Sequence, residues 1–197
     1  MRRNWTTGVA IAASLPLLLT AMGLQAGGVS GSVTAKGLRT NAGIVVSLQA
    51  PGTKVTPPAK PVEMDQKGMV FLPHVMAIVT GTRVQFLNSD AVAHNVFSPE
   101  GKYNLGTWPR GQTREHMFEK PGVYTQLCRV HPEMEAFIVV LNTPHFAVTD
   151  RAGKYAIADV PPGKYTLVAW GEKLKNLKQE VTIEAGKTLT VDLAMAR

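Results

Sequence analysis

Cysteine is almost missing from this chain. Cys128 is the only one among 197 residues, so no internal disulfide can staple the fold. A single thiol kept without a partner is either deeply buried or held by a metal. Long segments with helical periodicity and caps are also missing, which excludes a helical bundle. No basic run stands out among the dispersed lysines, and this argues against nucleic acid as a partner. Beyond residue 24 there is no apolar run long enough to cross a bilayer. Nor is there an acid–base pair or a nucleophile setting of the kind an enzyme needs, so a non-enzymatic role is expected.

The first stretch, MRRNWTTGVAIAASLPLLLTAMGLQA, has a pattern of its own. Arg2 and Arg3 precede an apolar run from Val9 to Leu24, and Ala26 is a small residue suited to cleavage. Charged, apolar and small, in that order, is the pattern of a secretory signal. The expectation is a signal peptide over residues 1–26, export to the periplasm, and no membrane span after cleavage. An uncleaved anchor is the alternative, because the run is near the lower length for a span. Without Arg2 and Arg3 the chain keeps nineteen basic and fourteen acidic residues. That surplus suits either a solvated basic surface or an acidic partner.

The remainder reads as all-β. Short β-branched and aromatic runs such as GIVVSLQ, TRVQFLN, GVYTQLC, AFIVVL and KYTLVAW alternate with Gly, Pro, Asn and Asp. Fourteen such runs are too many for one small sandwich, so two sandwiches are expected. The Pro-rich stretch at 50–61 and LNTPHF at 141–146 mark the boundaries of a unit over residues 62–142. That unit contains Cys128 and every histidine except His145.

Chemistry concentrates in YTQLCRVHPEMEAF, residues 124–137. Cys128, His131 and Met134 follow one another at three-residue steps. A thiolate is a soft donor, an imidazole is intermediate, and a thioether is soft and neutral. Together they favour copper over zinc, in a trigonal His₂Cys arrangement with a weak axial Met. The missing imidazole is supplied by His94, 34 residues before Cys128, in NSDAVAHNVFS. Glu133 and Glu135 flank Met134 and are alternative axial donors. His74, His116 and His145 stand in turns or alone, as surface histidines or a weaker second metal site. Asn95 is read as a tie between the ligand loops or as a plain turn residue. Trp108 is read as a packing residue or a neighbour of the metal.

VTGTRVQFLNSDAVAHNVFS and FEKPGVYTQLCRVHPEMEAFIVV resemble the cupredoxins, the plastocyanin and amicyanin group of blue copper proteins. The carrying features are His94-Asn95-Val96, the Gly122, Tyr124 and Cys128 spacing, and the compact Cys-x2-His-x2-Met loop. The resemblance implies a Greek-key β-sandwich and one type 1 copper bound by His94, Cys128, His131 and Met134. It also implies that His131 reaches the surface within an apolar patch where a redox partner docks. Pro132, Ala136 and Phe137 are candidates for that patch, with Phe137 alternatively in the core. Lys102, Arg110, Arg114 and Arg129 are candidates for orienting an acidic partner.

The C-terminal part, FAVTDRAGKYAIADVPPGKYTLVAW onward, resembles the carboxypeptidase regulatory-like, or transthyretin-like, β-sandwich. Thr149-Asp150, Gly153, Tyr155 and Val160 to Tyr165 carry the likeness. Gly153 and Gly163 suit positive φ in tight turns. The first strands of such a sandwich are matched far upstream, by GSVTA and GIVVSLQ. The expected organisation is therefore residues 29–55 as its first strands, 62–142 as an inserted cupredoxin, and 144–197 as the rest. The alternative joins residues 29–52 to the cupredoxin. Trp170 is a core or inter-domain residue, or a sugar-stacking one. Exported proteins combining these parts resemble plastocyanin-like and methylamine utilisation-type proteins.

The function expected is a periplasmic one-electron carrier serving a cytochrome or an oxidoreductase. Its rivals are a copper delivery or storage protein, and a cell-envelope binding module with structural copper. The eight methionines are scattered, against a delivery protein with Met clusters.

Overall fold

The computed structural model describes Met1 and residues 25–197; the signal-peptide expectation lies almost wholly outside them. Among the described residues every regular element is a strand, and no helix is long and apolar enough to cross a membrane. In chain order they are β1 (Gly27–Ala35), β2 (Val45–Gln49), β3 (Val62–Gln66), β4 (Phe71–Leu72), β5 (Val75–Val79) and β6 (Thr82–Leu87). Then come β7 (His94–Ser98), β8 (Tyr103–Trp108), β9 (Thr113–Phe118), β10 (Gly122–Leu127), β11 (Glu135–Leu141) and β12 (Phe146–Val148). The chain finishes with β13 (Lys154–Val160), β14 (Gly163–Trp170), β15 (Leu177–Ile183), β16 (Thr188–Thr190) and β17 (Leu193–Met195).

These strands form two stacked pairs of sheets. In the first pair, β5-β11-β10-β7-β8 faces β4-β3-β6-β9. Alternation along each strand sends Met64, Ile78, Val84, Phe86, Val96, Ile138 and Val140 inward to one core, which also holds Trp108, Cys128 and Met134. In the second pair, β12-β2-β14-β15 faces a sheet built around β1. β1 pairs antiparallel with β13 and parallel with β16 and β17. Residues 27–49 therefore hydrogen-bond to residues beyond 145 (β1 to β13, β2 to β12 and β14) rather than to the neighbours that follow them in sequence. Val29, Val46, Leu48, Tyr155, Leu167 and Ile183 fill the core between these sheets.

Two turns fix the second sandwich. Gly153 has φ 80°, and a Cβ there would collide with the Val33 carbonyl oxygen, so only glycine fits. Gly163 differs from expectation: it opens β14 with ordinary φ, and Asp159 takes the left-handed conformation near that turn, at φ 55°. Buried Thr149 ties the ends together, accepting the Ile44 N–H at 2.9 Å and donating to the Asn41 carbonyl at 2.6 Å.

The run AFIVVL in β11 is buried from end to end. Continuous apolarity of that kind belongs to a strand covered on both faces. Ala136, Ile138 and Val140 point into the first core. Phe137, Val139 and Leu141 point the other way and, with Val45 and Val75, form a third apolar cluster between the sandwiches. Trp170 packs on Phe137, ring centroids 5.5 Å apart. His74 stands edge-on to the same ring and bridges to Glu172 at 2.8 Å. Phe137 and Ala136 are thus both buried, and neither contributes to a surface patch.

Two outcomes are expected. Phe137→Ala removes the centre of the junction and lowers the unfolding free energy by about 3 kcal/mol, measured by denaturant titration. His116, stacked on Tyr103 at 3.9 Å, has its pKa lowered from 6.5 by burial, against an opposing pull from Glu119. The folded state therefore binds fewer protons than the unfolded chain as pH falls below 6.5. The His116 contribution is complete above that pH and is lost below it, so His116→Phe should flatten the pH dependence of the denaturation midpoint there.

Candidate metal centre

His94 opens β7 and is fully buried. Its backbone pairs with Trp108 of β8, which plants the ring at the end of the first core. Cys128 follows β10 directly, is 2 % exposed, and lies in the same core. The next turn closes when the Met134 N–H donates to the His131 carbonyl at 3.0 Å. That tight loop turns the His131 ring back toward His94. The two Nδ1 atoms stand 3.0 Å apart, with ring centroids 4.8 Å apart. One donor atom from each of His94, Cys128 and His131 lies within 4.8 Å of the others.

The donor chemistry fits one copper ion. Nε2 of His94 is engaged by Asp90 at 2.8 Å. Nδ1 is directed at His131. Two imidazole nitrogens and a sulfur converging in a buried setting match a soft-to-borderline cation. Met134 is fully buried in the same core as Cys128, whereas Glu133 is exposed and Glu135 half-buried. His131 is half-buried, and it is the most exposed member of the group.

Asn95 explains how the two ligand loops keep their spacing. Its backbone N–H donates to the Cys128 sulfur at 3.4 Å. Its side-chain amide donates to Asn104 Oδ1 at 2.8 Å and to the Gly106 carbonyl at 2.6 Å. Its Oδ1 accepts the Arg129 N–H at 3.3 Å. Gly106 has φ 81°, at an irregularity in the β7–β8 register. The amide fills the gap this bulge leaves in the ladder. Of the two sequence readings, the tie between loops is the one the contacts support.

The loop before His94 is held as firmly. Asn88 is buried, and its amide donates to the Val92 and Trp108 carbonyls at 2.9 and 3.0 Å. Asn88 Oδ1 accepts the Asp90 N–H at 3.0 Å. Asp90 in turn accepts from the backbone of Gly68 at 2.6 Å and of Met69 at 3.0 Å, in the turn between β3 and β4. The Met69 N–H is the largest cause that holds the Asp90 carboxyl down at about 2, followed by burial, which opposes it, then Gly68 and His94. Sequence reasoning missed Asp90. The available signal was an acid one helical step before a ligand histidine, in a turn rather than a helix.

The other candidates go elsewhere. His74 pairs with Glu172, His116 stacks on Tyr103, and His145 stands edge-on to Tyr165. Trp108 is fully buried beneath the Arg114 guanidinium, 5.5 Å from its ring centre. Arg129 covers Phe97 at 5.0 Å. Lys102 has left-handed φ in the turn entering β8. Val92 and Val130, beside His94 and His131 in sequence, are 45 % and 47 % exposed.

Residues 59–141 match the family model of copper binding proteins, plastocyanin/azurin family. Residues 131–196 match that of the carboxypeptidase regulatory-like domain. Similar solved structures include a purple cupredoxin from Nitrosopumilus maritimus, 28 % identical over 41 % of this chain and 99 % of that one, with a TM-score of 0.38. A reduced mutant of amicyanin is 19 % identical over 49 % of this chain and 98 % of that one, with a TM-score of 0.41. A copper-containing nitrite reductase from Thermus scotoductus SA-01 is 24 % identical over 55 % of this chain and 28 % of that one, with a TM-score of 0.40. No curated protein matches the chain.

Asn95→Ala strips three side-chain hydrogen bonds from a buried position. The expected cost is about 1–3 kcal/mol of stability, read from urea unfolding of the metal-free protein. An unchanged midpoint would reject the loop-tying role.

Proposed function

Because the chain joins a copper-binding segment of the plastocyanin/azurin type to a carboxypeptidase regulatory-like one, we propose that it is an exported, periplasmic one-electron carrier. His94, Cys128 and His131 would hold its copper, with Met134 as the fourth donor. The copper-binding sandwich is an insertion between the first two and the remaining strands of its host. The observation that carries this reading is the buried convergence of His94 Nδ1 and His131 Nδ1, 3.0 Å apart, with Cys128.

A bound copper would supply reversible one-electron chemistry at this place. The protein's part is to keep the donors still. Strand β7, the Asn95 amide and the turn over residues 131–134 fix the ligand spacing in both redox states, so little rearrangement accompanies electron transfer. Four donors leave no position for a substrate, which supports a carrier rather than an enzyme. His131 is the exit, since it alone of the convergent group is half-exposed. Exposed Val130 and Pro132 on either side of it in sequence, and exposed Val92 two residues before His94, favour an apolar docking face. Exposed Arg129, next to Val130, and Arg110, two residues beyond the Trp108 that pairs with His94, suit a cytochrome or oxidoreductase with an acidic rim. Copper delivery is the weaker reading, because the donors are buried and preorganised rather than open and exchangeable.

Visible absorption and EPR spectra of the copper(II)-loaded protein, beside Cys128→Ser, test the proposal. An intense thiolate-to-copper band with narrow copper hyperfine splitting, lost in the serine variant, is expected. A colourless protein with weak, exchangeable copper would overturn the carrier reading. A band of altered colour that survives Met134→Leu unchanged would remove Met134 from the axial position.

A further inference from the structure

Asp90 touches the donor cluster without belonging to it. Two backbone N–H groups and one imidazole nitrogen converge on its carboxylate: Gly68 at 2.6 Å on Oδ1, and Met69 at 3.0 Å and His94 Nε2 at 2.8 Å on Oδ2. The backbone donors come from the β3–β4 hairpin turn, closed by the Lys67 N–H donating to the Val70 carbonyl at 3.1 Å. Both turn residues are left-handed, Gly68 at φ 70° and Met69 at φ 62°. That is the twist a two-residue hairpin requires. It aims two successive N–H groups at one carboxylate, so Asp90 is anchored independently of the histidine it serves.

An ionised carboxylate only accepts hydrogen bonds. Facing it, His94 must carry its proton on Nε2, which leaves Nδ1 as the acceptor. Nδ1 is the atom 3.0 Å from His131 Nδ1. The His94 side chain is fully buried and that of Asp90 is 15 % exposed, so water screens the charge weakly. A carboxylate on the far nitrogen of a ligand imidazole fixes the ring and raises its basicity. A more basic ligand beside a fixed negative charge favours the more positive state of a bound ion.

We propose that Asp90 is a positioning residue of the metal centre, holding His94 as the Nε2–H tautomer and lowering the reduction potential of the bound copper through its negative charge. This rests on the copper reading above. The tautomer half stands on the geometry of the protein alone.

The test separates the two halves. In metal-free protein, ¹⁵N NMR of the His94 ring should show the proton on Nε2 in the native chain and in Asp90→Asn, whose amide oxygen still accepts. Asp90→Ala should lose that preference. With copper bound, Asp90→Asn should keep the thiolate band but raise the reduction potential, because the negative charge is gone. Asp90→Ala should weaken copper(II) binding by about 10–100-fold. Denaturation midpoints of both variants identify any loss of fold, and the Asn variant decides the matter if the Ala variant does not fold. A proton on Nδ1 of His94 in the native metal-free protein, or an Asn variant with the native potential, would overturn the proposal. A native protein without a thiolate band would instead sink the copper reading, and the NMR result would then decide the role of Asp90 alone.

Discussion

Two imidazole nitrogens pointed at each other inside a protein share one hydrogen bond when either carries the proton, and offer two donors to a cation beside them. His94 Nδ1 and His131 Nδ1 stand 3.0 Å apart beside a buried cysteine. The His94 Nε2 is engaged by Asp90, so Nδ1 is the nitrogen that faces inward. A cation would take both inward nitrogens together with the cysteine sulfur. Much of the surrounding structure follows from keeping this geometry. The β7–β8 bulge, the Asn95 amide that fills it and the Asn88 clamp on the preceding loop all restrain ligand-bearing backbone.

The same restraint explains why β11 is buried on both faces. The ligand loop feeds directly into this strand, at Glu135. Here Ala136 and Ile138 lock into the metal-side core, while Phe137 and Val139 lock into the junction with the second sandwich. His74 adds a polar clasp, with Nδ1 on the Glu135 carbonyl at 3.1 Å and Nε2 on Glu172 at 2.8 Å. The second sandwich thus bears on the metal-side strand through packing and through one histidine.

Much of this was legible in the sequence because the chemistry is compact. Cys128, His131 and Met134 share one loop, so their spacing could be read directly. His94 was findable because a strand start after a polar turn places a side chain at the end of a sandwich. The all-β class followed from alternation and turn residues. Less legible was anything that depends on which outer face meets which. Phe137 was a candidate for both surface and core, since strand periodicity tells inside from outside but not what covers the outside. The unbroken run AFIVVL held the clue to double coverage. Asp90 escaped for a different reason: its partners come from a hairpin more than twenty residues earlier, and the left-handed turn at Gly68 and Met69 has no strong signal when the second residue is methionine. Gly163 misled because a Pro-Pro-Gly sequence suggests a left-handed glycine, whereas Asp159 takes that conformation.

The junction limits how the two halves can act. Separating them would expose Phe137, Val139, Leu141, Val75 and Val45, each about 1.5–3 kcal/mol of burial. It would also break the His74–Glu172 pair. That cost is large against the few kcal/mol separating the states of mobile domains. The C-terminal sandwich therefore behaves as a fixed buttress behind β11 rather than as a tethered module that swings. The sheet carrying β2 and β14 covers Phe137, while Val139 and Leu141 also line an open cleft between the sandwiches. The half-exposed His131 ring, with Val92 and Val130 near the ligands in sequence, is left as the approach to the donor cluster.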